Sequence, residues 1–321
     1  MNTDLKLADS LNRSSAYDHQ CKNILSNKQV LATILKGCIA DYKDLSIEEI
    51  TRCIEKKPLV NYSNHHDTIE GKNVEDASIV GSMIRYDVLF DAVLPKNKNE
   101  EIGVIINIEA QNKDDPSYPL ISRALYYCAR LISRQKNVPD GFQKSEFDKL
   151  KKVYSIWLCT RHKQEKDDVM NQYKVVETCM NKEWHARYDT YDLFEAIMVY
   201  PAKEYNYRKK GLMEFTNLLF NSIMEKEEKM YYLVKDYDIR MTRELDEEMN
   251  KMCNLSEGIK EDALKEGIEK GRIKERINSA KEHINNLMES LNVTFEEAIV
   301  LLKINEELVK IIREEMNEIK A

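Results

Sequence analysis

Alternation of apolar and polar residues is clearest over 84–111, IRYDVLFDAVLPKNKNEEIGVIINIEAQ, where two such runs flank a polar tip, PKNKNEE. This is the pattern of a β-hairpin with a longer loop. Even positions are apolar in both runs: Ile84, Tyr86, Val88, Phe90 and Ala92 in the first, and Val104, Ile106, Ile108 and Ala110 in the second. Both arms are therefore expected to bury their even face. A turn centred near Lys98 keeps even opposite even, as one buried face requires, and sets Asp87 opposite Glu109 and Arg85 opposite Gln111. The odd face is then polar, with Arg85, Asp87 and Asp91 on one arm and Asn107, Glu109 and Gln111 on the other.

On both sides of the hairpin the period becomes helical. Ser26 is placed to cap a helix with the apolar face Val30, Leu31, Ile34, Leu35, Cys38 and Ile39, and Ser46 with Glu49 predicts the capping box of a second, short helix. Residues 1–25 show no steady period and read as a loosely attached arm, and no strand is placed in the polar stretch 56–81. After the hairpin, DDPSY reads as a turn, and a helix over about 119–136 follows with Pro119 in its first turn. Its core stripe is Ile121, Ala124, Leu125, Cys128, Leu131 and Ile132, while Arg123, Tyr127, Arg130 and Arg134 share another face. VYSIWLCT at 153–160 and the apolar run 193–200 read as buried strands. Strand, helix, strand implies a right-handed crossover, which lays the arginine-bearing helix over the sheet near the carboxylates. From Leu212 the pattern is helical to the end, with LLFNSIMEKEEKMYYLV as one helix. The stripe Ile277, Ala280, Ile284, Leu287 and Leu291 suits either self-association or packing on its own domain. Thr294 with Glu297, and then Asn305, predict the caps of a final helical hairpin.

A chain of 321 residues has room for one large domain or a domain with an appendage. Its composition, 33% charged and 42% apolar, is ordinary for a soluble protein. It has no apolar run long enough to span a membrane, and the opening MNTDLKLADS lacks the order of a signal peptide, so the cytoplasm is the expected location. The 7 cysteines form no C-x-x-C pair, and the 6 histidines lack zinc-ligand spacing. The net charge of −7 is unevenly spread: the chain from Glu225 onward holds 17 basic and 24 acidic residues, whereas 118–166 holds 11 basic and 4 acidic. A local basic stretch can hold phosphates even in an acidic chain.

Two carboxylates opposed across a hairpin repel each other and weaken the sheet, unless a divalent cation takes their oxygens as ligands. An Asp, a hairpin turn and then Glu-x-Gln resembles the nuclease pattern in which Asp and Glu-x-Lys hold a metal ion on paired strands. More narrowly, the chain resembles the PD-(D/E)XK nuclease family transposases, the group related to recombination-promoting nucleases. YDVLFDAVLP, IINIEAQ, YPLISRALYYCARLISRQK and KKVYSIWLC follow one another in that family's order and spacing. The likeness is strong over about 80 residues and looser through the tail. Gln111 stands where the superfamily has lysine, and Gln is common there in the narrower family. A neutral amide supplies no positive charge, but it can orient a water or a phosphate oxygen.

The resemblance implies an α/β fold, a restriction-endonuclease-like mixed sheet flanked by helices, followed by an all-helical C-terminal region. It implies Mg²⁺ or Mn²⁺ bound by Asp87, Glu109 and the Ala110 carbonyl, with Gln111 completing the catalytic set, Glu75 and Gln135 as accessory positions, and Arg123, Tyr127, Arg130 and Arg134 as DNA contacts. The domains expected are an arm over 1–25, a nuclease-like domain over 26–210, a helical extension over 211–257, and a helical spacer and hairpin over 258–321. The expected function is metal-dependent hydrolysis of DNA phosphodiesters, associated with transposition or recombination. The alternative is a catalytically inactive nuclease fold that binds DNA or protein. The expected partners are DNA and no membrane, with a homodimer left open.

Overall fold

The computed structural model describes residues 15–55, 68–69, 75–79, 82–97, 100–111, 117–202, 206, 209–221, 224–305 and 308–313. The chain divides into two compact units, Met1–Leu255 and Ser256–Ala321. Among the described residues no helix is long and apolar enough to cross a membrane.

The first unit is built on a five-stranded sheet of β3 (Val88–Asn97), β4 (Glu100–Gln111), β5 (Lys152–Cys159), β6 (Val169–Lys174) and β7 (Phe194–Tyr200), in the order β3-β4-β5-β7-β6. β4, β5 and β7 run parallel, with β3 and β6 antiparallel at the edges. It is a mixed sheet flanked by helices, as the sequence led us to expect. The hairpin register is also the expected one, with Val88 opposite Ile108 and Leu89 opposite Asn107. Strand pairing extends to Asn97 and Glu100, so the connection is shorter than the sequence suggested, and Lys98 at its centre lies outside the described residues.

The first hairpin arm is two strands rather than one. β2 (Ser82–Arg85) pairs with β1 (Glu75–Ile79) in a separate two-stranded sheet that sets Arg85 opposite Glu75, so Arg85 does not face Gln111. The β3 ladder begins only at Val88, because Asp87 replaces main-chain partners with side-chain ones. Its N–H donates to Glu109 Oε1 at 3.2 Å, and its Oδ2 accepts from the Ala110 N–H at 3.0 Å.

Both faces of the sheet are covered. The even residues Val88, Phe90, Ala92, Val104, Ile106 and Ile108 join a core with residues of three N-terminal helical segments, a helix over 15–25 (α1), α2 (Lys28–Cys38) and α3 (Ile47–Cys53). The same core includes residues of α5 (Leu212–Thr216), α6 (Lys226–Tyr237) and the start of α7 (Arg243–Leu291). The odd face lies under α4 (Leu120–Ser133), where Leu89, Ile105 and Trp157 pack against Ala124, Cys128 and Leu131. The polar odd positions of the hairpin had pointed to a wet face, but Leu89 and Ile105 are odd as well and continue the apolar layer. Only the end of that face carries the acidic pair.

Three further expectations change. Residues 15–25 are not a loose arm: Cys21, Ile24 and Leu25 are buried in the main core, and Tyr17 donates its hydroxyl to the Phe220 carbonyl at 2.9 Å. The N-cap of α2 is Asn27 rather than Ser26, its side chain accepting from the Gln29 and Val30 N–H groups. The stretch read as one helix from Leu218 breaks at Glu225, whose extended backbone (ψ 151°) lets Phe220 and Leu233 both reach the core. In the second unit, Ile277 and Ile284 pack with Ala298 of α8 (Phe295–Leu302) and with Ile312, so this stripe is covered by the unit's own helices. The capping box of Thr294 with Glu297 and the Asn305 cap form as predicted.

Candidate active site

Asp87 and Glu109 meet where β3 begins and β4 ends, each bonded to the other's neighbourhood by the two side-chain hydrogen bonds that interrupt the ladder. Glu109 is only 3% exposed. Burial and the adjacent Asp87 charge push its carboxyl up to about 8, against the opposing pull of the Asp87 N–H, Arg123 and Asn107. A buried carboxyl that holds its proton beside a second carboxylate is a place where a divalent cation could stand in for that proton. On the outer side, Lys22 of α1 places Nζ 2.9 Å from Asp87 Oδ1.

Main-chain geometry adds a third oxygen. Gln111 turns its carbonyl toward β5, accepting from the Thr160 N–H at 3.0 Å. Successive strand residues direct their peptide groups to opposite neighbours, so Ala110 directs its own to the Asp87 side, where its N–H already bonds. The donor set of two carboxylates and a carbonyl is all oxygen, which suits a hard divalent ion such as Mg²⁺. The described residues contain no cluster of three or more His, Cys, Asp or Glu side chains arranged for a metal.

A polar chain backs Glu109. Asn107 Nδ2 donates to Ser155 Oγ at 3.1 Å, and Trp157 Nε1 donates to the same hydroxyl at 2.9 Å. Arg123 of α4 completes the inner wall in an aromatic setting. Its guanidinium lies 5.0 Å from the Tyr127 ring centroid and 5.2 Å from that of Trp157, and Nη2 donates to Tyr127 Oη at 2.7 Å.

The remaining candidates are scattered. Gln111 is half-buried at the end of β4, one residue past the acidic pair and its main-chain oxygen. Gln135 is 4% exposed and clamps Lys151, donating to its carbonyl at 2.9 Å and accepting from its N–H at 2.8 Å. Glu75 has its backbone in β1, and its side chain lies outside the described set. The face shared by Arg123, Tyr127, Arg130 and Arg134 is not an open one: Tyr127 is 6% exposed and Arg130 2%. The core stripe of α4 is rotated to include them, because aromatic and aliphatic parts of long polar side chains can be buried with their heads engaged. Sequence reasoning passed over Lys22, Ser155 and Trp157. The last two could have been found only from the parallel register that sets Glu109 beside Trp157.

A mixed sheet with an acidic pair at the end of its hairpin, roofed by a helix on one face and a helical layer on the other, is consistent with the PD-(D/E)XK nuclease fold. The family model of the PD-(D/E)XK nuclease family transposases matches residues 85–283, more than half of the chain, and the chain belongs to that family. Neither the curated proteins nor the solved structures contain a match to it.

Proposed function

We propose that this family member is a metal-dependent DNA endonuclease whose centre is Asp87, Glu109 and the Ala110 carbonyl, with Mg²⁺ or Mn²⁺ as the ion. The observation that carries this reading is the Asp87–Glu109 pair, where burial and mutual repulsion hold a proton that a cation would displace. When bound, the ion lowers the pKa of a coordinated water and neutralises charge on the phosphate. Asp87 and Glu109 hold that charge in place, and Asn107 backs Glu109 from the β5 side. Gln111 orients the water or the scissile phosphate through its amide. Arg123, half-buried and fixed by Tyr118 and Tyr127, supplies positive charge beside Glu109. DNA is the substrate this centre serves, in transposition or recombination.

Nicking of supercoiled plasmid in Mg²⁺ by wild type and Glu109→Ala tests the reading. The variant is expected to lose at least about 100-fold in rate, roughly 2.7 kcal/mol of barrier, with its circular dichroism unchanged. Equal rates would remove Glu109 from the chemistry. A second reading, a nuclease fold that binds DNA without cutting it, is favoured by one specific observation: the pair is already partly compensated from within, by the Glu109 proton and the Lys22 ammonium. Wild type that binds DNA and Mg²⁺ but never nicks would select it.

A further inference from the structure

Resting on the reading of Asp87 and Glu109 as a phosphodiester-hydrolysing centre, we propose that Lys22 of α1 is a phosphate-contacting residue of that centre, supplying from another element the ammonium that Gln111 lacks. Its Nζ lies 2.9 Å from Asp87 Oδ1 on the open side of the pair, and its side chain is 41% exposed while that of Asp87 is 19% exposed. It is thus an ammonium in direct contact with the pair that also reaches solvent, where a DNA strand must approach. Arg123, on α4 over the other face of the sheet, is half-buried and engaged by Tyr118 and Tyr127.

The placement of Lys22 is fixed by its neighbours. Cys21 is buried on one side of it, and Ile24 and Leu25 on the other. Gln20 Nε2 donates to the Glu248 carbonyl at 3.0 Å and Asn23 Nδ2 to Glu248 Oε2 at 2.9 Å, tying the same turn to α7. The Lys22 carbonyl accepts from the Ser26 hydroxyl at 2.8 Å. The Lys22 backbone is therefore anchored by contacts that do not involve its side chain, which leaves the ammonium free to change partners. A lysine is a compact point charge with three donors on a flexible stem, suited to passing from a carboxylate to a phosphate oxygen. With a divalent ion held by Asp87 and Glu109, the Asp87 carboxylate would hold the ammonium less tightly, and Lys22 could turn to a phosphate oxygen of the bound strand. An ion pair this exposed contributes little to stability, so the contact is not needed to dock α1.

The test compares wild type with Lys22→Met, which keeps the aliphatic stem, and Lys22→Arg. Three quantities are measured: binding of a DNA duplex in Ca²⁺ as a function of salt, affinity for Mg²⁺ alone by calorimetric titration, and plasmid nicking in Mg²⁺. Lys22→Met is expected to reduce the salt slope of log K by about one, as the loss of one phosphate contact does. It is expected to bind Mg²⁺ several-fold more tightly, because the ion no longer competes with an ammonium for Asp87. Nicking is expected to fall at least tenfold and to be partly restored in Lys22→Arg, with melting temperature unchanged. An unaltered salt slope together with unaltered nicking overturns the proposal, as does a loss of activity matched by a fall in melting temperature in both variants. If wild type itself does not nick, hydrolysis is the wrong function, and the salt slope and Mg²⁺ affinity still decide whether Lys22 meets phosphate.

Discussion

Two carboxylate pairs lie at opposite ends of the same sheet, and they differ in where their lysine sits. At the start of β5 and β7, Lys152 Nζ lies between Asp192 Oδ2 at 2.6 Å and Glu195 Oε1 at 2.5 Å, and Gln172 bonds the far oxygen of Glu195. Burial alone would lower the Lys152 ammonium, but its two carboxylate partners outweigh it and hold the group above its usual range. At the other end of the parallel strands, Lys22 touches only the outer acid, and Glu109 inside keeps a proton. A cation placed between two acids ties the sheet together; a cation at the rim leaves the inner acid to hold a proton instead. Residue types alone do not distinguish the two clusters, whereas the position of the compensating charge does.

The sharpest break in this comparison is expected from Lys152→Met. Removing it strands two largely buried acids, and breaking a buried pair in this way costs about 3 kcal/mol or more. Urea unfolding at neutral pH measures it. Glu109→Gln is expected to behave in the opposite way, holding stability within about 1 kcal/mol near pH 6 and exceeding wild type at higher pH, since it removes an acid that resists ionising in place. If Glu109→Gln destabilises as much as Lys152→Met, both clusters are structural and the contrast fails.

The pH dependence sharpens the same point. An unfolded Glu109 releases its proton near the ordinary 4.5, whereas the folded one holds it up to about 8. Between those values the native state binds more protons than the unfolded state, so this residue makes stability fall as pH rises. Below the window both states are protonated and the effect is absent. Melting curves from pH 5 to 8.5 are expected to show wild type losing ground steadily against Glu109→Gln; parallel curves would mean that Glu109 titrates normally. Mg²⁺ must displace that proton, so its affinity is expected to rise with pH and level off above about 8. Calorimetry in buffers of different ionisation enthalpy would count the proton released, and no release would place the ion elsewhere.

The sequence made the hairpin, its register and the strands β5 and β7 legible, because each has a period or an apolar run set by burial. It hid β6, an edge strand whose VMNQYK leaves Met170 49% exposed and so carries no alternation. It also hid the break at Asp87. Alternation continues through Ile84, Tyr86 and Val88, while the ladder is interrupted by side-chain hydrogen bonds that no pattern of hydrophobicity records. The pair Asp87 and Glu109 was readable from turn position alone. Lys22 was not: Tyr17, Cys21, Ile24 and Leu25 stand at helical spacing and could have marked α1, but no local pattern records a contact between Lys22 and an acid as distant in sequence as Asp87. The arginines of α4 misled for a related reason: three- and four-residue spacing gives a shared face but not whether that face is covered, and here Tyr127 and Arg130 are buried.

The smallest expected effect concerns Gln135, which the family pattern marks as an accessory position. Its amide uses both ends on one peptide unit's neighbours, the Lys151 N–H and carbonyl, just before β5 begins. Lys152 follows directly, so Gln135 fixes the entry of the strand that holds the Lys152 cluster, and both polar atoms of its side chain are engaged with Lys151. Gln135→Ala removes two neutral hydrogen bonds at a buried site, which is expected to cost about 1 kcal/mol, the low end for buried groups left unpaired, since the groups that lose their partner are uncharged. Plasmid nicking at saturating Mg²⁺ is expected to stay within about twofold of wild type, and the loss of stability to shrink when Lys152 is already Met, because the two changes loosen the same strand entry. A nicking rate that drops as far as in Glu109→Ala while the melting temperature holds would instead bring Gln135 into the chemistry and require the end of α4 to move toward the acidic pair.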